Sequence, residues 1–263
     1  MGFAELPTWA VTQWSLAGTA SRVLVIYGGA MALAFLITYA VSMGDSRTLR
    51  EVGVWAKPMK FMAATALFAW STVWLAIIGS EAVSHSQAFN GIAAIVIATS
   101  LFEVVYITYQ AAHGAASHYN ISDSFHAMMF GMMGIAAVAL TASQAWLAWE
   151  IWAEYRGSAM PVLAQGVVFG LMLTFVLSII SGFILGGKQP PAGAGLPIVG
   201  WHWWGDIRPS HFLAVHAQQF IPIGAVVAER YLEGSAQVGF AVMVVCYLAC
   251  WTALTCVGLM KPG

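Results

Sequence analysis

Seven long apolar stretches separated by short polar segments organise this chain: Val23 to Met43, Met59 to Gly79, Phe89 to Ala112, Ala127 to Trp152, Val162 to Gly186, Pro209 to Ala228 and Val238 to Met260. A run of roughly 18 or more apolar residues reads as a bilayer-spanning helix. The pattern therefore predicts an all-α integral membrane bundle of about seven transmembrane helices, one domain over residues 1–263. The sixth stretch is the weakest, because His216, Gln218, Gln219 and Pro222 interrupt it, and a six-helix bundle is the alternative.

The connecting segments carry their own signals. Trp9 and Trp14 precede the first span in a mixed segment suited to the headgroup level. Met1 to Arg22 lacks the basic and apolar regions of a cleavable signal peptide, so the first span is expected to stay. The longest connection, Gly187 to Arg208, is rich in Pro and Gly and holds Trp201, Trp203 and Trp204; it reads as a lid or re-entrant loop over one end of the bundle. No internal repeat of the kind common in transporters is evident.

Composition agrees with the pattern. The chain is 60% hydrophobic and only 8% charged, against roughly 25% charged in soluble domains. A net charge of −1 and the lack of any basic run exclude nucleic acid as a partner. Cys246, Cys250 and Cys256 all fall in the last span and cannot staple loops outside the membrane. With seven spans, Arg47, Arg50, Lys57, Lys60, Lys188, Arg208 and Lys261 share one side, and Arg22, Arg156 and Arg230 the other. Positive residues stay inside, so the amino terminus is expected outside and the carboxyl terminus cytoplasmic, in a bacterial inner membrane. Six of the seven histidines then fall toward the cytoplasmic half, His85 being the exception.

Glu103 is the acidic side chain set deepest within a predicted span. It lies about 9 residues, or about 14 Å, from the cytoplasmic end of the third span. A carboxylate at that depth must be protonated, paired with a cation or bound to a metal. At about 100° per residue, Glu103, Tyr106, Gln110, His113 and Ser117 form one polar seam from midplane to surface. Glu103, Tyr106 and Gln110 are the candidates for conveying protons or holding substrate.

The segment HGAASHYNISDSFH supplies His113, His118, His126, Asn120 and Asp123, and HWWGDIRPSHFLAVH adds His202, Asp206, Arg208, His211 and His216. Imidazoles gathered from two loops suit haem, zinc, iron or copper, which makes His113, His118, His126, His211 and His216 the candidate ligands, with His118 and His216 preferred. Both pairs five apart sit about 140° apart on a continuous helix, so ligands from different elements would have to converge. Pro222 leaves the Gln218 carbonyl without its usual partner, opening polar backbone near His216. Lys57 and Lys60 are expected to snorkel toward lipid phosphates; the sharper reading has Lys57, Lys60 or Arg208 hold an anionic group such as a haem propionate. Met128, Met129, Met132 and Met133 read as core packing before a copper site.

The motifs KPMKF, QAAHGAASHYN and GDIRPSHFLAVHAQQ resemble those of a group of bacterial polytopic membrane proteins with no assigned activity. The resemblance implies a helical bundle and no mechanism. The histidines also invite comparison with the hydrolase superfamily of alkaline ceramidases and adiponectin-type receptors. That superfamily places paired histidines in its last helix, and the seventh span here has none. Retinal proteins need a lysine within the seventh span, whereas Lys261 is terminal.

The leading expectation is a membrane metalloprotein with haem or another metal, doing redox chemistry on a hydrophobic small molecule. Next come a proton-coupled carrier or channel in which Glu103 titrates, a zinc-dependent intramembrane hydrolase with Asp123 or Glu103 as base, and an accessory subunit of a larger membrane complex. All four share the lipid bilayer as solvent.

Overall fold

The hydrocarbon core of a bilayer holds no water, so a crossing segment must satisfy its backbone polar groups by itself, and a helix does so. The computed structural model of this chain describes residues 18–193, 195–196 and 200–260. Among these residues seven helices are long and apolar enough to cross a membrane: α1 (Thr19–Met43), α2 (Ala56–Gly79), α4 (Gln87–Ala112), α5 (Ser124–Glu154), α6 (Val162–Gly187), α7 (Arg208–Tyr231) and α8 (Ala236–Leu259). A single turn, α3 (Glu81–Ser84), joins α2 to α4. The protein is an all-α integral membrane bundle. Trp9, Trp14 and Lys261 lie outside the described residues.

The weak sixth span is a complete helix, so the six-helix alternative does not hold. α7 runs unbroken through Pro222, and it is the least hydropathic of the seven because its polar residues turn inward. Ser210 and Gln218 are fully buried. α5 begins at Ser124, three residues before the apolar run, because Asp123 caps it: the carboxylate accepts from the His126 backbone N–H at 2.9 Å. α4 ends at Ala112 in a Schellman turn, with Gly114 N–H donating to Ala111 O and Ala115 N–H to Gln110 O, both at 2.9 Å. Gly114 sits there at φ 66°, a conformation that favours glycine. Between α1 and α2 the hydrophobic pattern missed a small hairpin, Thr48–Leu49 paired with Val52–Gly53. Its turn residues Arg50 and Glu51 both have positive φ, as a two-residue hairpin turn requires.

Up-and-down connection sorts the side chains by end. The early residues of α4 and α6 and the late residues of α2 and α5 meet at one end. There Leu75, Phe89, Ile92, Leu147, Ile151 and Leu171 form a fully buried apolar plug. Lys57 and Lys60 of α2, Glu103 to Gln110 of α4, Ser178 and Ser181 of α6 and His211 to Gln219 of α7 lie toward the other end. One end of the bundle is sealed by hydrocarbon side chains and the other is lined with polar groups. Arg156 lies over the rings of Trp149 and Trp152 at the sealed end, centroid distances 5.1 and 4.7 Å, an anchor suited to the headgroup region.

α6 and α7 pack antiparallel in close register. A Cβ at Gly166 would lie 2.4 Å from Ala225 Cβ, and one at Gly170 3.0 Å from Pro222 Cδ. Gly166→Leu or Gly170→Leu should therefore cost about 1–3 kcal/mol by overpacking. The expected readout is a lower melting temperature in detergent, while Gly131→Leu, where a Cβ meets nothing within 4 Å, leaves it unchanged. Equal melting of the two kinds of variant would contradict this packing.

Candidate functional site

α4 presents Glu103, Tyr106 and Gln110 on its buried face, as the helical spacing predicts. The Gln110 side-chain amide donates to the Tyr106 hydroxyl at 2.7 Å. One turn before Glu103, the Ser100 hydroxyl meets Tyr27 of α1 at 2.9 Å. The predicted seam stops at Gln110. Once the helix turns at Gly114, His113 leaves the bundle: it is exposed, packs on Tyr109 at 4.4 Å and hydrogen-bonds the Tyr109 carbonyl through Nδ1 at 2.8 Å. Ser117 is buried but is tied to His118, at 3.2 Å, rather than to α4.

Lys57 has neighbours inside the bundle as well as access to its surface. It is half-buried at the start of α2, stands 5.9 Å from the Phe61 ring and interacts electrostatically with both Glu103 and His118. Glu103 and Lys57 appear in none of the described ion pairs, so their charges act across a gap. His118 roofs this space between Phe61 and Phe130, with ring centroids 6.0 and 5.9 Å away. Burial, with the Lys57 ammonium adding to it, pushes the His118 imidazole down to about 3. The imidazole is therefore neutral near pH 7. Lys57 of α2 is thus the group common to Glu103 of α4 and His118 of the α4–α5 loop, with the rings of Phe61 and Phe130 beside the imidazole.

A second polar group centres on α7. The Ser181 hydroxyl donates to the Leu177 carbonyl at 2.7 Å, so it accepts from His211 Nδ1 at 2.9 Å. His216 Nδ1 bonds Gln219 Oε1 at 3.2 Å, and Gln219 Nε2 donates to Ser71 of α2 at 3.0 Å. The next residue of α2, Thr72, donates to Gln144 of α5 at 3.4 Å. Two neighbouring residues of α2 thereby bridge α7 and α5. The sequence reading missed Ser71, Thr72, Gln144 and Ser181, since hydroxyls in spans usually bond their own helix; the signal available was a glutamine inside an apolar span, Gln144 in α5 and Gln219 in α7.

The candidate metal ligands are not brought together. His126 stays near the surface, paired at 2.6 Å with Asp123. His118 interacts electrostatically with Lys57, and His211 and His216 interact with each other along α7. Among the described residues no group of three or more His, Cys, Asp or Glu is arranged to hold a metal ion. Five-residue spacing turns the paired imidazoles to different sides of their elements. Core packing holds for Met133 and in part for Met129, whereas Met128 and Met132 face outward and are not core residues.

The basic residues also separate. Lys60 and Arg208 repel each other as like charges, while Lys57 interacts with Glu103. Arg208 is already engaged: Nε and Nη2 donate to Asp206 at 2.9 and 2.7 Å, and Nη2 also to the Gly200 carbonyl at 2.7 Å. Burial opposes charge on Asp206, but the Arg208 and His202 hydrogen bonds outweigh it and hold its pKa below the ordinary value. This pair folds the Gly187–Arg208 connection, and Arg50 ties it down by donating to Pro190 O at 2.7 Å. Gly195, at φ 61°, lies so close to Gly200 that a Cβ would come within 2.6 Å of its carbonyl carbon. An open apolar groove of about 450 Å³, lined by Leu101, Phe102, Val105, Tyr106 and Met129, runs along α4 and α5 and reaches the Tyr106 end of the seam.

The His118 shift fixes a sign for pH. Its folded pKa lies below the ordinary value of 6.5, so the unfolded chain binds the proton first, and stability falls as pH drops through 6.5 toward 3. His118→Asn should flatten that part of the melting-temperature profile relative to the parent. Parallel profiles would mean that His118 is solvated.

Comparison with protein-family models, with curated proteins and with solved structures finds no match. What stands on geometry is an integral membrane bundle, sealed at one end, with ionisable groups gathered toward the other.

Proposed function

We propose that this protein is a proton-coupled carrier or channel in which Glu103 and Lys57 are the proton-exchanging pair. The observation that carries the reading is a buried carboxyl group, Glu103, on the same inward face of a spanning helix as Tyr106 and Gln110, with Lys57 of the neighbouring helix interacting with it electrostatically. Moving one proton from the Lys57 ammonium to the Glu103 carboxylate turns a separated ion pair into two neutral groups. In a low-dielectric bundle desolvation favours the neutral state and mutual attraction favours the charged one. The pair is then sensitive to whatever hydration or ligand reaches it. The polar end offers access, and the apolar plug keeps the opposite end closed, as an alternating path requires. Tyr106 and Gln110 continue the hydrogen-bonding groups from Glu103 toward the mouth, where His118 stands neutral.

A second reading, a metalloprotein with haem, zinc, iron or copper acting on a hydrophobic substrate, draws support from α7. Nδ1 of both His211 and His216 is engaged by a hydrogen bond, the arrangement that orients Nε2 toward a ligand. The groove beside Tyr106 suits an apolar substrate. An absorbance spectrum with elemental analysis of detergent-purified protein distinguishes this reading, and protein lacking stoichiometric metal or haem removes it.

For the first reading the test is proton flux into pyranine-loaded proteoliposomes under a potassium diffusion potential. Parent protein should acidify the lumen well above empty liposomes. Glu103→Gln should lower that rate by about tenfold or more, the effect expected on losing a positioned proton-transfer group, and Lys57→Met should lower it as well. Folded Glu103→Gln protein with the parent rate would remove Glu103 from the mechanism.

A further inference from the structure

The contact between α6 and α7 contains polar atoms that the protein itself leaves unsatisfied. Four contacts fix the antiparallel register: Ser181 with His211, Thr174 with Gln218, Gly170 with Pro222 and Gly166 with Ala225. Each pairs a residue of α6 with one of α7 as the first falls and the second rises, so Ser178 faces Ala214. A long helical side chain leans back over the preceding turn toward its own amino-terminal end. That general direction would carry the Gln218 side chain over Ala214, toward Ser178.

Gln218 is fully buried, and Ser178 is 6% exposed. Yet Gln218 Oε1, Gln218 Nε2 and Ser178 Oγ have no hydrogen-bond partner among the described residues. Buried amides and hydroxyls are nearly always paired, since an unpaired one keeps its full desolvation cost. Three orphaned atoms from two facing helices at neighbouring register positions are hard to assign to chance. The Gln218 backbone N–H is, by contrast, satisfied by Thr174 Oγ1 at 2.9 Å, so the helices are well placed and only the side-chain groups are left over. Proline at 222 adds a fourth polar atom on α7, the Gln218 carbonyl, which lacks its helical N–H donor.

We infer that this part of the α6–α7 interface is a binding site for a small uncharged guest that both donates and accepts hydrogen bonds, bridging Gln218 and Ser178. An amide offers two donors and an acceptor, and a hydroxyl offers one of each, so the guest must be able to do both. No charged side chain joins these atoms. The two histidines of α7 have partners of their own, His211 with Ser181 and His216 with Gln219. The close approach at Gly170, where a Cβ would stand 3.1 Å from the Ala217 carbonyl and 3.3 Å from Gln218 Cα, favours a guest as small as water or the head of a small amide. The site extends the polar groups of α7 from His211 to Pro222, independently of Lys57 and Glu103.

The test uses the full chain in detergent, with water and acetamide as probes. Gln218→Leu keeps the side-chain bulk but removes both polar atoms. With a guest bound, Gln218→Leu and Ser178→Ala each lower the melting temperature. X-ray hydroxyl-radical labelling of the Ala214–Pro222 segment, strong where water is bound, then falls to background in Gln218→Leu. If water is the guest, excess acetamide leaves the parent melting temperature unchanged. If a solute amide is the guest, acetamide raises it in the parent and not in Gln218→Leu. A higher melting temperature for both variants, with labelling at background in the parent and no acetamide effect, would overturn the inference. Ser178→Ala gives the same reading if Gln218→Leu does not fold.

Discussion

An ionisable group placed in hydrocarbon has to find its counter-group inside the protein, and the placement of Lys57 follows from that requirement. A lysine at a span end ordinarily reaches out to phosphate. Here its ammonium stands 5.9 Å from the Phe61 ring and interacts with Glu103. That interaction couples the first residues of α2 to the middle of α4. It also defines the space that His118 and Phe130 cover, and it sets the polar end of the bundle apart from the plugged end. A bundle without Glu103 would have no reason to bury that ammonium.

The same demand acts more gently on uncharged groups. Gln144 and Gln219 are each drawn to a hydroxyl of α2, and the helices of this bundle are cross-linked near their middle by amide and hydroxyl bonds. Such bonds are modest individually, because the separated helices in a membrane also find partners. Their value lies in orientation: they fix which faces of α5 and α7 look toward α2. Gln218 is the exception, a buried amide that the protein leaves open.

The fold was readable because apolar runs of spanning length are a strong and local signal. Even α7 could be found that way, although the four polar or helix-breaking residues that weakened it as a span are the ones that face the interior. The site was readable only in part. Glu103, Tyr106 and Gln110 stood out through depth and helical spacing, and they do share a buried face. His113 and His126 belonged to the same polar stretch of sequence but are turned to the surface, one by the Gly114 turn and the other by its bond to Asp123. The direction of Lys57 depends on a partner in another helix, and the Ser178–Ala214–Gln218 arrangement depends on the register of two helices. Neither is written in the spacing of one segment.

α5 carries a consequence of its own. Its 31 residues span about 46 Å, well beyond the roughly 30 Å of bilayer hydrocarbon. Trp149 and Trp152, with Arg156 across them, anchor one end near an interface. The surplus length therefore projects from the opposite face and carries Phe130 against His118 as a wall standing partly outside the lipid. Bilayer thickness then becomes a physical input to the pocket: longer acyl chains draw this wall toward the headgroups and shorter ones leave it standing free.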